Sequence, residues 1–476
     1  MQLINAKTFI HDEMQEGETS TPVMEIFKVK MKSDGSLDEL KTRLVVRGDL
    51  QSKTISEDTW SPTASFRSLK MFLAHACKNK LRVKQLDFIG AFLQANIRAR
   101  IFVTIPKIFG ILFPEYSEYC GIPLRLGKSM YGMTLSGKYW FLDLKEFLLQ
   151  EGFTTSSTVK CLFYKVYENG DFILILDYVD DMLYHGSNKE YVIIFEKRLQ
   201  ARFNLELMGQ AHWYLATRIN QKSNFDIELD QTRYCLAILK KYLDSVGCPK
   251  NNSLVSTPLP LPFLPSSDDC SVDENAVAKL EEEYNIEYAS CIGSLIYLTM
   301  TRTDILFAVN KLAKISRSPG RVHFDVLIHL LRYLRDNVYL GIKFYSNFME
   351  APLLKSLSSQ NIEQHHPFFC FSDSSWNDDP DTGRSTGCFI ITYMGGVVDH
   401  SSNMPNPVAL SSTESEYNEG CVAFMTASHL RMLLCVLEQI SEEDMSPITI
   451  YFDSKSAIAM GSSYKDTKHT RHIERR

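Results

Sequence analysis

Two adjacent carboxylates, Asp180 and Asp181, stand inside an otherwise apolar stretch, FILILDYVDDMLY at 172–184. Apolar and aromatic runs of strand length on either side predict a β-hairpin that carries the acids at its turn. Neighbouring Asp side chains on a tight turn repel one another, and folding gains nothing from concentrating that charge unless a cation sits there. A divalent metal site is one reading. A solvated acidic turn is the other, because Asp is a favoured turn residue. The pair alone does not separate them, so the choice rests on the remainder of the chain.

At 476 residues the chain exceeds a single core, and roughly two to four domains are expected. No apolar run approaches a membrane span and residues 1–20 lack an apolar signal core, which predicts an intracellular protein with no membrane partner. The eleven cysteines are scattered singly, without a CxxC pair; they read as reduced core thiols rather than a zinc site or a disulfide framework. A net charge of -6 argues against nucleic-acid binding through overall charge, although an acidic catalytic cleft flanked locally by Lys and Arg is compatible with it.

Residues 1–20 are polar and aperiodic and read as a frayed leader. The segment 26–48 predicts a hairpin turning at Asp34-Gly35. Alternation on its returning strand puts Arg43 and Val45 on one face and Leu44 and Val46 on the other. Lys41, Arg43 and Arg47 are then either triphosphate contacts or the wet side of a ribbon. A helix over 66–80 carries Leu69, Phe72, Leu73 and Cys77 on one stripe. A strand over 81–88 ends in Gln85-Leu86-Asp87, followed by a turn of helix at Gly90-Ala91-Phe92. An acid at a strand end is geometrically fixed, so Asp87 is a candidate third carboxylate for the Asp180-Asp181 turn, with Phe92 close to whatever the metal holds.

Ser129-Met130-Tyr131-Gly132-Met133 precedes an amphipathic helix through Trp140, Leu144 and Phe147; a further helix at 191–203 and a short strand at 213–219 follow the acidic hairpin. This order predicts an α+β fold rather than a doubly wound sheet. Helices over 231–243 and 288–315 are joined by a Pro- and Ser-rich linker around 256–275, and Leu327, Leu330, Leu331 and Leu334 form a helical stripe within 323–337.

From 367 the pattern turns to strands: FFCFSD ending at Asp373, a hairpin over 388–400 turning at Gly395-Gly396, and ITIYFD ending at Asp453, with a helix over 411–434 between them. Two strand-end acids and one helical acid can converge on a metal pair. Thr413-x-x-Glu416 and Ser411-x-x-Glu414 both fit a capping box; assigning the cap to Glu414 leaves Glu416 free. Asp381-Thr382-Gly383 spells an aspartic-protease triplet, but it sits in a polar loop with no apolar strand leading in, and a protease is not expected. The basic tail, Lys465, Lys468, His469, Arg471, His472, Arg475 and Arg476, is either a backbone contact or a solvated helix.

The ordered blocks KTRLVVRG, WSPTASFRSLK, QLDFIGAFL, KSMYGM, YVDD, Leu207-Met208-Gly209, IGSLIYLTMTRTDILFAV and HLLRYLRDN resemble the reverse transcriptase region of copia-type LTR retrotransposon polyproteins. FSDSSW, GRSTG, SSTESEY, DSKSAI and TKHTRHI resemble the ribonuclease H that follows it. The resemblance implies a right-hand polymerase of fingers, palm and thumb followed by a ribonuclease H-like α/β domain. Its parts would be fingers and palm over 21–230, thumb and connection over 231–366, and the ribonuclease H-like domain over 367–476, cut short at its C-terminus. It further implies that Asp87, Asp180 and Asp181 hold two Mg2+ ions, with Mn2+ as a substitute, one activating the primer 3′-oxygen and the other neutralising triphosphate charge. Phe92 would pack under the nucleotide sugar and exclude a 2′-hydroxyl, Arg43 helped by Lys41 would meet the triphosphate, and Tyr131 and Gly132 would line the nucleotide.

By the same resemblance Asp373, Glu416 and Asp453 hold the ribonuclease H metal pair. Glu474 is the nearby acid after Asp466 and is not taken as the fourth ligand. The implied partners are an RNA template, a DNA primer, the RNA–DNA hybrid and deoxynucleoside triphosphates, and the implied setting is a cytoplasmic virus-like particle with access to the nucleus. Three places depart from the family pattern. Leu135 replaces a nucleotide-contacting amide, Tyr214-Leu215-Ala216 replaces Phe-Leu-Gly, and Asp177 precedes the YVDD block, where alternation points it away from Asp180. The alternative is a catalytically inactive remnant that binds nucleic acid, favoured by Leu135 and opposed by the presence of all six core acids.

Overall fold

The structure is a computed structural model that describes residues 7–31, 37–51, 59–244, 254–260, 266–352, 354, 367–405 and 408–462. It divides into two compact units, Met1–Ala64 with Lys84–Gln210 and Ser65–Val83 with Ala211–Arg476. The division does not follow the chain, because the helix Phe66–Lys78 packs within the second unit.

The first unit holds β1 (Phe9–Ile10), β2 (Ser20–Met31), β3 (Leu37–Val46), β4 (Lys84–Phe88), β5 (Phe102–Thr104), β6 (Pro123–Leu126), β7 (Thr154–Thr155), β8 (Leu162–Val166), β9 (Phe172–Tyr178), β10 (Asp181–Gly186) and β11 (Leu205–Gln210). They form a five-stranded sheet in the order β1-β6-β5-β2-β3 and a six-stranded sheet in the order β11-β4-β10-β9-β8-β7. β2 and β3 pair as expected, and Leu44 and Val46 are buried while Arg43 and Val45 are half-buried; the Asp34-Gly35 turn lies outside the described residues. One face of the six-stranded sheet presents Leu86, Phe88, Ile173, Ile175, Met182 and Tyr184 to Tyr139, Trp140, Leu144, Phe195 and Leu199 of the helices Ser136–Gln150 and Lys189–Arg202. Each such side chain contributes about 1.5–3 kcal/mol by leaving water, and the Phe88 and Trp140 rings meet edge to face at 4.8 Å.

The second unit holds β12 (Trp213–Tyr214), β13 (Thr217–Gln221), β14 (Ile227–Asp230) and β15 (Ile342–Phe344) in one antiparallel sheet. β16 (Phe368–Ser375), β17 (Thr386–Tyr393), β18 (Gly396–Asn403) and β19 (Thr449–Tyr451) form another, in the order β18-β17-β16-β19 with β16 and β19 parallel. Its helical core is the leucine stripe of Arg321–Asp336 packed on Thr232–Tyr242, Tyr288–Leu298 and Leu306–Lys314.

Several expectations change. The helix Phe66–Lys78 is buried on every side from Ser68 to Cys77, not along one stripe, because β14, β18 and the helix Ser412–Glu438 surround it. The helix expected over 288–315 breaks after Leu298, where Arg302 turns inward and bonds Asp304 and the carbonyl of Asn337. An unforeseen helix, Glu274–Tyr284, follows the linker; the Asp273 carboxylate caps it through the Ala276 amide, and Asn285 ends it at φ 50. The hairpin turn lies at Met394-Gly395, one residue early, since Tyr393 pairs with Gly396. The helix Ser412–Glu438 is long and apolar enough to cross a membrane by length and composition, contrary to the absence of such a run read from the sequence. It packs along β16 and β17 and buries Ala423, Ala427, Leu430 and Leu434, as a core helix does.

The expected strand at 213–219 is a hairpin, because Leu215 and Ala216 reverse the chain at φ 49 and φ 55 between β12 and β13. Two consecutive left-handed residues suit glycine. Ala216→Gly is therefore expected to stabilise the second unit by about 0.5–1 kcal/mol, seen as a higher urea midpoint at unchanged slope. An unchanged or lower midpoint would count against a strained turn.

Candidate active site

The first acidic group is built by strand register. Asp181 on β10 faces Asp87 on β4 and Tyr178 on β9, so the three side chains share one face of the sheet. Asp180 occupies the two-residue turn with Val179, which sits at φ 58, a strained conformation for a β-branched residue. Two hydrogen bonds hold that turn: the Phe88 amide donates to the Asp180 carbonyl at 2.8 Å, and Trp140 Nε1 donates to the Val179 carbonyl at 2.7 Å. Gln85 Nε2 donates to Asp181 Oδ1 at 3.2 Å, while burial pushes the Asp181 carboxyl up from its usual range.

Tyr131 gathers the neighbouring residues. The Phe92 ring meets it edge-on at 5.1 Å and the Arg43 guanidinium lies 5.6 Å from its centre. Burial raises its hydroxyl pKa, the negative charges of Asp180 and Asp87 add to this, and Arg43 opposes it. The structure thus brings Asp87, Asp180, Asp181, Arg43, Phe92 and Tyr131 together. Lys41 lies two residues before Arg43 on β3, and its side chain is outside the described residues. Gly132 has a structural reason of its own: at φ 86, a Cβ would stand 2.2 Å from the Val46 carbonyl oxygen. That close approach seats Tyr131, whose carbonyl accepts from the Val46 amide at 2.8 Å. Leu135 is buried in the core beside Trp140, so it projects no side chain into the cleft. Asp177 is buried on the core side of β9, where desolvation first, and then Asp180 and Asp181, raise its pKa well above the usual range.

The second acidic group is tighter. Phe371 on β16 pairs with Tyr451 on parallel β19, so Asp373, which lies within β16 and not at its end because pairing with β17 continues to Ser375, stands beside Asp453, two residues past the end of β19, and Glu416 reaches them from the helix Ser412–Glu438. One carboxylate oxygen from each lies within 4.8 Å of the others, the one such group of metal-ligating side chains among the described residues. The cap falls to Glu414: Ser411 Oγ accepts from the Glu414 amide at 3.2 Å, and the Glu414 carboxylate accepts from the Leu410 amide at 2.7 Å. Among the described residues Glu416 keeps only a 3.3 Å bond from the Ser374 amide to Oε1. Burial, then Asp453 and Asp373, push Glu416 up to about 7.

A divalent cation fits this group. Its carboxylates repel one another, Glu416 Oε2 is buried with no hydrogen-bond partner, and no Lys or Arg among the described residues pairs with any of the three. The aspartic-protease triplet is spent on structure, because Asp381 accepts from the Ser267 amide at 3.0 Å and pairs with Lys314 at 2.9 Å. The basic tail and Glu474 lie outside the described residues.

One acidic residue went unnoticed in the sequence. Glu419, one helical turn beyond Glu416, is only 2% exposed, and a Cβ on Gly387 would stand 2.1 Å from its Oε2. The i, i+3 spacing of the two Glu residues was the available signal. Burial and the neighbouring Glu416 push Glu419 up to about 7 from an ordinary 4.5. A carboxyl raised on folding stabilises in full below its unfolded pKa and loses that contribution as pH rises through the folded one. Without divalent cations, Glu419→Gln is expected to raise the melting temperature by a few degrees at pH 8 and to leave it unchanged at pH 4. A difference independent of pH would remove this account.

A family model described as reverse transcriptase (RNA-dependent DNA polymerase) matches residues 10–255. The chain is 27% identical over 468 residues to a retrovirus-related Pol polyprotein from transposon TNT 1-94 of Nicotiana tabacum, covering 97% of this chain and 32% of that protein. It is 28% identical over 450 residues to the Pol polyprotein from transposon RE1 of Arabidopsis thaliana, covering 94% and 28%. It is 24% identical over 491 residues to the transposon Ty1-GR1 Gag-Pol polyprotein of Saccharomyces cerevisiae, covering 98% and 25%. The chain spans a third or less of the length of these curated relatives. It belongs to the reverse transcriptase (RNA-dependent DNA polymerase) family and is similar over most of its length to the Pol polyproteins of copia-type transposons.

Proposed function

We propose that this chain copies RNA into DNA at the first acidic group and cleaves the RNA of the resulting hybrid at the second. The observation that carries the first half is the Asp87–Asp181 register with Asp180 on a turn clamped by Phe88 and Trp140. The convergence of Asp373, Glu416 and Asp453 supports the second half. Fingers and palm over 21–230, thumb and connection over 231–366 and a ribonuclease H-like domain over 367–476 form the domain reading that accompanies this function.

Each group would hold a pair of Mg2+ ions, replaceable by Mn2+, which when bound supply positive charge to the attacking oxygen and to the phosphoryl oxygens of an in-line displacement. The chain's own residues set the geometry. Arg43 meets the triphosphate, with Lys41 beside it on β3. Phe92, braced by Tyr131, bears on the deoxyribose and occupies the space a 2′-hydroxyl would need. Gln85 holds Asp181 in position, and Gly132 lets Tyr131 approach β3. At the second group Ser374 orients Glu416, and selection of the RNA strand comes from contacts to its 2′-hydroxyls. Template, primer, hybrid and deoxynucleoside triphosphates are the partners this implies, and a virus-like particle is the setting. Leu135 was one ground for the non-catalytic alternative, and its place in the core leaves that residue neutral between the two readings.

Primer extension on a poly-A RNA template with deoxythymidine triphosphate and Mg2+ tests the first half. Incorporation is expected from the parent chain and from Asp373→Asn, with a loss of at least about 1,000-fold in Asp180→Asn. Hybrid cleavage is expected to show the reverse dependence, and chelation of the metal to silence both. Equal incorporation by Asp180→Asn would overturn the assignment.

A further inference from the structure

Beside the second acidic group lies an apolar surface that the proposed chemistry does not use. Trp376 follows β16 directly, three residues beyond Asp373, and the chain reverses after it at Asn377, whose φ is 56 and whose amide donates to Ser385 Oγ at 3.2 Å. Trp376 is 50% exposed. Its single polar atom is already satisfied, because Nε1 donates to the Ala409 carbonyl at 3.0 Å. Hydration of the indole N–H therefore does not explain the exposure. Ala409 is itself buried, while its neighbours Val408 and Leu410 are 50% and 71% exposed. Three exposed apolar side chains thus stand on or beside the loop that enters the Ser411 cap, a shelf joined through the bond from Trp376 to Ala409.

The shelf shares its support with the carboxylates. Ser374, between Asp373 and Trp376, donates its amide to Glu416 and bonds Ser415 through its hydroxyl. Covering an exposed Trp or Leu releases apolar surface from water, and an apolar patch next to a polar site marks a contact surface. A nucleic-acid strand offers two kinds of surface to such a place: charged phosphates, suited to the carboxylates with their cations, and the C–H edge of the sugars, suited to an uncharged shelf. The wide minor groove of an A-like duplex displays that sugar edge.

We propose that Trp376, with Val408 and Leu410, seats the sugar edge of the RNA–DNA hybrid in its minor groove and so positions the RNA strand for Asp373, Glu416 and Asp453. The proposal rests on the ribonuclease H reading. Trp376 is a positioning residue, and its contribution appears in binding and in register of cleavage.

The test uses the full chain with Trp376→Ala and Trp376→Phe, first in steady-state cleavage of a defined hybrid. Trp376→Ala is expected to raise KM about tenfold, as loss of one aromatic contact to nucleic acid does, with kcat within about threefold and cuts scattered over neighbouring positions. Trp376→Phe is expected to keep most of the parent KM, and primer extension is expected to be unchanged in both. An unchanged KM, or a lower kcat at parent KM, would overturn the shelf. A second readout does not need cleavage: acrylamide quenching of the Trp376 emission, taken as the difference between Asp373→Asn chain with and without Trp376→Phe, is expected to fall when the Asp373→Asn chain binds hybrid. Absence of shielding overturns the shelf whether or not the parent cuts; shielding without any cleavage by the parent would leave the shelf and refute the ribonuclease H reading. Shielding by an apolar peptide but not by hybrid would assign the surface to a protein partner instead.

Discussion

Like charge held together against its own repulsion is the constraint on which both acidic groups depend. At the first, the repulsion between Asp180 and Asp181 is met by backbone: the Phe88 amide and the Trp140 indole take the two carbonyls of a turn that a valine enters at positive φ. The aromatic core behind it, Phe88 on Trp140 on Phe203, keeps that indole in place. Remove the packing and the hydrogen bond goes with it, so the core of the six-stranded sheet determines the position of charges it never touches.

The second group reaches a similar end by different means. Parallel pairing of β16 and β19 sets two acids side by side, and a long helix brings the third. Its cost is visible in Glu416 and Glu419, both pushed up to about 7 by burial and by neighbouring acids. Such a group is least stable when fully ionised and empty, which is the state a cation relieves. The first group carries a disturbance of the same kind, with the Asp181 carboxyl raised by burial and Asp177 behind it raised further by burial and by Asp180 and Asp181.

Much of this was legible in the residues. The hairpin around Asp180 and Asp181, the strand leading to Asp87 and the leucine stripe of Arg321–Asp336 follow from period and turn chemistry alone. Other features were not, for identifiable reasons. Leu215 and Ala216 lack the glycine that announces a tight turn, so β12 and β13 read as one strand. The helix Tyr288–Leu298 ends because Arg302 finds partners distant in sequence, which no local window contains. Glu419 escaped because a second Glu on a helix reads as solvated surface until its cover is known, and here the cover is the missing side chain of Gly387. Glu414 was separable from Glu416 because a capping box has its own spacing.

The helix Phe66–Lys78 precedes β4 in the chain yet completes the core of the other unit, against β14, β18 and the helix Ser412–Glu438. During synthesis it emerges long before any of those partners exist, with Leu69, Phe72, Leu73 and Cys77 uncovered until the helix Ser412–Glu438 has followed. Neither unit is therefore a contiguous gene segment. A cut between them leaves one piece with an orphaned apolar helix and the other with an unfilled core.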